Sequence, residues 1–256
     1  MDLGLRDRVY VVTGGTRGLG RASAEALVAD GARVVVSSRD AESVRAAAAA
    51  LGGDAVAVGV VADNADPATP QVLLAAARAA FGRVDGVLIS VGGPPAGPVS
   101  AITDEQWTAA FSSVFLGGVR TAREFAAALA TNDDGGTIAF VLSQSVRQPV
   151  ANLATSNGLR PGLAMVAKTL ADEYGPQGVR VVGLLPGRLA TDRLIELDGL
   201  TGDAAAARAR NEESIPLRRY GEPREFGAVA AFLLSPAASY LTGVMVPVDG
   251  GSIRSL

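Results

Sequence analysis

The chain of 256 residues contains no cysteine and no histidine. The first absence excludes disulfides and thiolate metal sites. The second removes the Ser-His-Asp triad, the commonest acid/base of neutral pH and the usual zinc ligand. Any proton chemistry must come from Asp, Glu, Lys, Tyr or the substrate itself. No block of like charge occurs, and the net charge is −3, which argues against a nucleic-acid surface. Apolar runs are broken by Gly, Arg or Asp well before ~18 residues, so no membrane span is expected. The N-terminus lacks the basic-then-apolar pattern of a signal peptide. These absences point to a cytoplasmic protein acting on a small molecule, with no metal, nucleic acid or membrane involved.

What remains is ample for one large core: 48% of residues are hydrophobic and 19% charged. Short β-branched runs fall at 9–13, 33–38, 55–61, 84–90, 137–142, 180–185 and 244–248. Ala-rich helical stretches fall at 18–30, 41–51, 68–81, 104–130, 157–174 and 222–234. Strand and helix alternate, which implies an α/β fold with a parallel sheet covered on both faces. The strands are mostly continuous apolar runs, as burial on both faces requires. No linker interrupts the pattern, so residues 1–256 are expected to form one doubly wound domain of seven parallel strands. Residues 191–217 mix charge, a short Ala run and Gly between two strong elements. They are expected to be a mobile insertion over a site, shaping a substrate pocket.

The first strand runs into "TGGTRGLG", with Gly14, Gly18 and Gly20 spaced G-x-x-x-G-x-G. Glycines there let the backbone turn tightly and approach a pyrophosphate, while the helix N-terminus offers N–H donors. The motif sits in the first βα turn, which is the context it needs. The second strand ends in Ser38 and Arg39, where an NAD-preferring fold usually places an acid. With Arg17 inside the glycine loop, two guanidinium groups suit a 2′-phosphate, and NADP(H) is the expected cofactor. Asp40, next in the chain, is expected to cap the following helix.

These residues resemble the short-chain dehydrogenase/reductase family over nearly the whole chain. The resemblance implies a Rossmann fold and places Gly14, Thr16, Arg17, Gly18, Leu19 and Gly20 on the cofactor loop. "VADNADP" is similar to the segment that holds adenine, with Asp63 and Asn64. "ISVG", ending in Gly92, stands at the short motif that closes strand four. "LLPGRLATDR" is similar to the turn that covers nicotinamide, carrying Pro186, Gly187, Leu189 and Thr191. "YGEPREFGAVAAFLLSPAASYLTGVMVPVDGG" resembles the last helix and strand.

The resemblance breaks at the chemistry. The family's active site is Asn, Ser, Tyr and Lys, the last two spaced Y-x-x-x-K. The serine falls on Ser143; thirteen residues on, the tyrosine position is Ser156, and the lysine position is Arg160. The asparagine position is Val114. Ser143, Ser156 and Arg160 are therefore the candidate catalytic residues, with Arg160 also a candidate for holding the cofactor's ribose. A serine hydroxyl is a far weaker acid than a tyrosine and shorter by a ring. Arg160 keeps the positive charge but cannot deprotonate; it could hold ribose hydroxyls or grip an anionic substrate. Ser156 could equally be a helix N-cap, and the sequence leaves open whether Pro161 displaces Arg160.

The tyrosines do not replace the missing one. Tyr10 is in the first strand, Tyr174 lies about 27 Å from Ser156 along one helix, and Tyr240 follows the last helix. Tyr220 stays a candidate, as do Asp192 and Glu196 if they are buried. Three functions remain open: an NADP(H)-dependent oxidoreductase with an unusual proton path, a weak or inactive NADP(H)-binding sensor or scaffold, and non-redox chemistry on the same frame. The long helices at 104–130 and 157–174 are apolar on more than one face. The resemblance makes them a pairing surface, so a homotetramer is expected.

Overall fold

A computed structural model of the chain describes residues 2–199 and 202–255. The ends of the expected 1–256 unit, Met1 and Leu256, and two positions of the expected insertion, Leu200 and Thr201, lie outside the described residues. The elements run β1 (Val9–Thr13), α1 (Gly18–Ala29), β2 (Arg33–Ser38), α2 (Ala41–Ala50), β3 (Ala57–Val61), α3 (Thr69–Phe81), β4 (Gly86–Ile89) and α4 (Asp104–Ala110). They continue with α5 (Gly117–Leu129), β5 (Gly136–Val141), α6 (Ala154–Tyr174), β6 (Val179–Pro186), α7 (Asp192–Gly199), α8 (Ala204–Ser214), α9 (Pro223–Leu234) and β7 (Met245–Val248). Seven strands form one parallel sheet in the order β3-β2-β1-β4-β5-β6-β7.

Alternation along β1 explains the layering. Val9 and Val11 face one side, with α3, α5 and α6 packed over them through Leu73, Phe125 and Leu163. Tyr10 and Val12 face the other, under α1, α2 and α9 through Leu27, Ala47 and Phe226. Because the order reverses between β1 and β4, a crevice opens between their C-terminal ends. Thr13 stitches its floor: its hydroxyl donates to the Ser90 carbonyl (2.8 Å) and accepts the Ser90 N–H (2.9 Å).

Several boundaries differ from the sequence pattern. Residues 55 and 56 belong to a turn, with Val56 and Ala57 N–H both donating to the Gly53 carbonyl, so β3 starts late. The expected helix 104–130 is α4 and α5 joined by a π-helical segment, Phe111–Leu116, that carries Val114. Its far end is pressed against the chain after β3: a Cβ on Gly117 would lie 2.2 Å from the Asn64 carbonyl oxygen. Helix α6 starts three residues early because Ala154 and Thr155 are already buried. Its N-cap is Leu153, without a side-chain cap bond, so Ser156 lies inside the first turn and is not the cap. Pro161 removes one N–H, yet α6 runs unbroken to Tyr174. Residues 191–217, expected as a loop, carry the two helices α7 and α8.

One half-buried cation ties the far side together. Arg180 on β6 donates to the carbonyls of Leu233 (3.0 Å), Leu241 (3.2 Å) and Ser235 (2.8 Å) and to the Thr137 hydroxyl (2.7 Å). It thus satisfies carbonyls at the end of α9 that have no helical partner. Replacing Arg180 by Leu leaves them unpaired and is expected to cost roughly 3 kcal/mol. Urea unfolding of the two proteins checks this; a loss under ~0.5 kcal/mol would rule out the role.

Candidate active site

The crevice is built first by glycines. Gly14 and Gly18 have φ of 58° and 56°, a left-handed backbone that side chains resist. A Cβ on Gly20 would stand 2.4 Å from the Gly14 carbonyl oxygen, so the first turn of α1 folds directly onto the loop. The α1 N-terminus follows, with Arg17 in the cap position and exposed. Thr16 and Leu19 flank it, partly exposed. At the end of β2, Ser38 donates to the Asp40 carbonyl (3.4 Å). The Asp40 carboxylate accepts the Ser43 N–H at 2.8 Å as the α2 cap, and the Ser43 hydroxyl, then that N–H, hold its pKa below the usual carboxylate value. Arg39 points out with no hydrogen bond or ion pair among the described residues. One edge of the crevice thus carries free cations, and its nearest acid is committed to a helix end.

The other edges close around it. Asp63 accepts the Ala65 N–H (3.0 Å), and Arg120 on α5 donates to the Ala65 carbonyl (3.2 Å), so Asn64 is held beside α5. Gly92 opens the loop after β4 and is exposed, with no heavy atom within 4 Å of where a Cβ would stand. That loop is pinned from two sides. Thr155 on α6 donates to the Pro95 carbonyl (3.2 Å), and Arg193 on α7 donates to the Pro94 carbonyl (3.1 Å). Pro186 and Gly187 leave β6, with Gly187 packed against Asp249. Leu189 is buried, and the Thr191 methyl stands 3.7 Å from the Cβ position of Gly18. The glycine loop and the 186–191 turn therefore meet across the crevice.

At its base lie the three candidate catalytic residues. Ser143 follows β5, partly exposed, and its oxygen accepts the Ser145 N–H (3.1 Å). Its own proton has no fixed acceptor among the hydrogen bonds of the described residues. Ser156 is 5% exposed, and its hydroxyl lies 3.0 Å from that of Ser145. Ser145 donates to the Ser156 carbonyl (3.2 Å), which leaves Ser156 as the donor between the two hydroxyls. Arg160, four residues along the same face, is buried, and one Nη donates to the Val141 carbonyl at 2.5 Å. Burial pulls its pKa down to about 10, still well above neutral. Val114, 2% exposed, puts an apolar side chain in the core.

The model of a family described as enoyl-(acyl carrier protein) reductase matches residues 14–252. Levodione reductase of Leifsonia aquatica is 33% identical over 252 residues, covering 96% of this chain and 94% of its own length. L-rhamnose 1-dehydrogenase (NAD(P)(+)) of Azotobacter vinelandii is 34% identical, with coverage of 98% and 99%. The chain belongs to the short-chain dehydrogenase/reductase family. In three dimensions it is similar to L-sorbose reductase from Gluconobacter frateurii, solved with NADPH and L-sorbose, at a TM-score of 0.93, 28% identity and complete coverage of both chains.

Within that family frame, the remaining proton sources can be placed. Tyr220 is not free to act: its hydroxyl donates to the Asp198 carboxylate (2.9 Å) and accepts the Asn211 amide (2.9 Å). Burial raises its pKa, which makes it a poorer acid still. Tyr10 is spoken for by the Leu234 carbonyl (3.3 Å) in the core. Asp192 and Glu196 are exposed, the latter paired with Arg193 at 2.9 Å. The chain's one lysine, Lys168, lies two turns further along α6, beside Gly243. Sequence reasoning missed Ser145, whose spacing carried no motif. It also missed the Arg193–Pro94 bond, which joins residues 99 apart.

Proposed function

We propose that the chain is an NADP(H)-dependent oxidoreductase with a proton path unlike that of relatives carrying Tyr and Lys. The observation that carries it is the pair of exposed arginines, Arg17 and Arg39, beside an acid already committed as a helix cap. They are placed to grip a 2′-phosphate rather than a ribose hydroxyl. NADPH bound along the glycine loop supplies a hydride. Gly14, Gly18 and Gly20 admit its pyrophosphate, Asp63 and Asn64 border the adenine end, and Gly92, Pro186, Gly187, Leu189 and Thr191 border the nicotinamide end. Ser143 keeps a hydroxyl proton to polarise a carbonyl.

What the site lacks is an acid. Ser156 donates inward to Ser145, and Arg160 holds its proton too tightly to give it up. The substrates that fit best need no strong acid: an iminium or an activated alkene rather than a plain ketone. Helices α7 and α8 of the 191–217 segment would wall the substrate side. A non-catalytic NADP(H) sensor is the second reading, favoured by the inward-facing Ser156.

Three outcomes are expected. NADP(H) should bind more tightly than NAD(H), and Arg39→Ala should remove about 1.5–3 kcal/mol, roughly 10- to 150-fold in Kd for NADP(H) alone. Calorimetric titration reads both, and equal affinities in the wild type would refute the cofactor choice. Wild-type NADPH oxidation should be slow across a panel of simple ketones. Ser156→Tyr with Arg160→Lys, and Pro161→Ala added to restore the helix N–H, should raise it by ~10-fold or more. Fast wild-type turnover would overturn the altered proton path; no gain with cofactor still bound would favour the sensor. Finally, Phe111 and Met165 are 43% and 67% exposed on the π-helical segment and α6. They leave an apolar face to be covered. Light scattering at micromolar concentration should give a tetramer mass, and a monomer mass would contradict it.

A further inference from the structure

Arg160 is a buried cation without an anion. It is 7% exposed, and a guanidinium carries five N–H donors. Its one hydrogen bond among the described residues goes to a neutral carbonyl, that of Val141. No carboxylate lies within ion-pair distance of it among those residues. The acids of the 191–217 segment do not answer it among the described residues. Asp192 is exposed, Glu196 holds Arg193, and Asp198 is bound by Tyr220 and Asn211. A charge taken out of water and left unpaired is among the costliest features a fold can carry. Arg180, the other deeply placed arginine, is by contrast surrounded by acceptors.

The location is informative. Val141 ends β5, two residues before Ser143, at the C-terminal end of the sheet, where ligands of this architecture bind. Gln144, directly after Ser143, has a buried amide nitrogen with no partner among the described residues. Beside Ser143, then, stand the unpartnered Gln144 amide in the chain and, anchored two residues earlier on the Val141 carbonyl, a guanidinium whose other N–H groups have no protein acceptor among the described residues. A guanidinium matches one chemistry best, a planar carboxylate taken by two parallel N–H bonds.

We propose that Arg160 is the docking point for a carboxylate on the substrate, so that this enzyme selects small carboxylic acids over their neutral analogues. This deepens the oxidoreductase reading and rests on it. A carboxylate there would neutralise the buried charge and orient the rest of the substrate toward Ser143. It also explains why arginine serves where lysine would not: the charge is permanent and forked.

The only tryptophan gives a direct probe. Trp107 on α4 lies against Gly158, within the turn between Ser156 and Arg160: a Cβ on Gly158 would be 2.9 Å from its ring. The NADP-loaded protein is titrated with acetate and benzoate and, separately, with acetamide and benzamide, following Trp107 fluorescence at constant ionic strength set with chloride. Carboxylates should bind at least ~10-fold more tightly than their amides. Arg160→Gln should abolish that preference, and Arg160→Lys should keep a weakened one. Equal binding of acid and amide in the wild type, or a preference that survives Arg160→Gln, overturns the proposal. If Arg160→Gln does not fold, as judged by circular dichroism, the wild-type comparison and Arg160→Lys decide: a preference unchanged by lysine, which lacks the fork, counts against it. NADPH affinity is measured in the same samples. Absence of selectivity in the wild type with NADPH bound refutes the carboxylate site alone, whereas failure of the wild type to bind NADPH refutes the cofactor reading.

Discussion

The reciprocal bond between Thr13 and Ser90 is the constraint on which the site depends. It joins the ends of β1 and β4, the two strands between which the sheet reverses direction. A parallel sheet with helices on both faces leaves one gap at that reversal. If the two ends were free to splay, Gly14, which packs against the Ser90 carbonyl, would lose its seat. The loop from Gly14 to Gly20 and the turn bearing Thr191 are then placed around a fixed floor. A backbone this tightly specified admits a dinucleotide's phosphates but no larger side chain.

Above that floor, the Ser156–Arg160 face differs in polarity from a Tyr-and-Lys pair. A phenol and an ammonium would form an acid whose proton is easily surrendered. Here two hydroxyls face each other behind the surface, and a guanidinium is anchored on a strand carbonyl. In the proposed reading, the change replaces proton supply with charge recognition. On the same proposal, Ser143 would stabilise a developing oxyanion electrostatically, and the proton would come from outside the Ser156–Arg160 pair.

Fold and cofactor loop were readable because they rest on local rules. A continuous apolar run in β1, glycines at left-handed positions and an acid before a helix are each written within a few residues. Counting residues was enough to put Ser156 and Arg160 on one helix face. What could not be read was where those side chains turn. Ser156 looks outward from a cap in the sequence and inward to Ser145 in the fold, because burial of Ala154 and Thr155 starts α6 a turn sooner. The π-helical segment was equally hidden. It answers a close approach between Gly117 and Asn64, residues far apart in the chain. Helices α7 and α8 escaped notice because few of their residues are buried and apolar, Leu194 and Ala207 among them, while much of what joins them is a polar cluster.

That cluster limits how the pocket can change. The segment's two ends lie side by side, with Ala190 N–H on the Gly221 carbonyl and Gly221 N–H on the Arg188 carbonyl. Inside, Asp198 of α7, Asn211 of α8 and Tyr220 at the base hold one another. Each partner satisfies two others, so exchanging one helix for that of a relative strands a carboxylate or a phenol out of water. The three positions behave as a single inherited cassette. Recombination or redesign aimed at a new substrate has to move residues 188–221 whole, with the adjoining ends acting as a natural splice site.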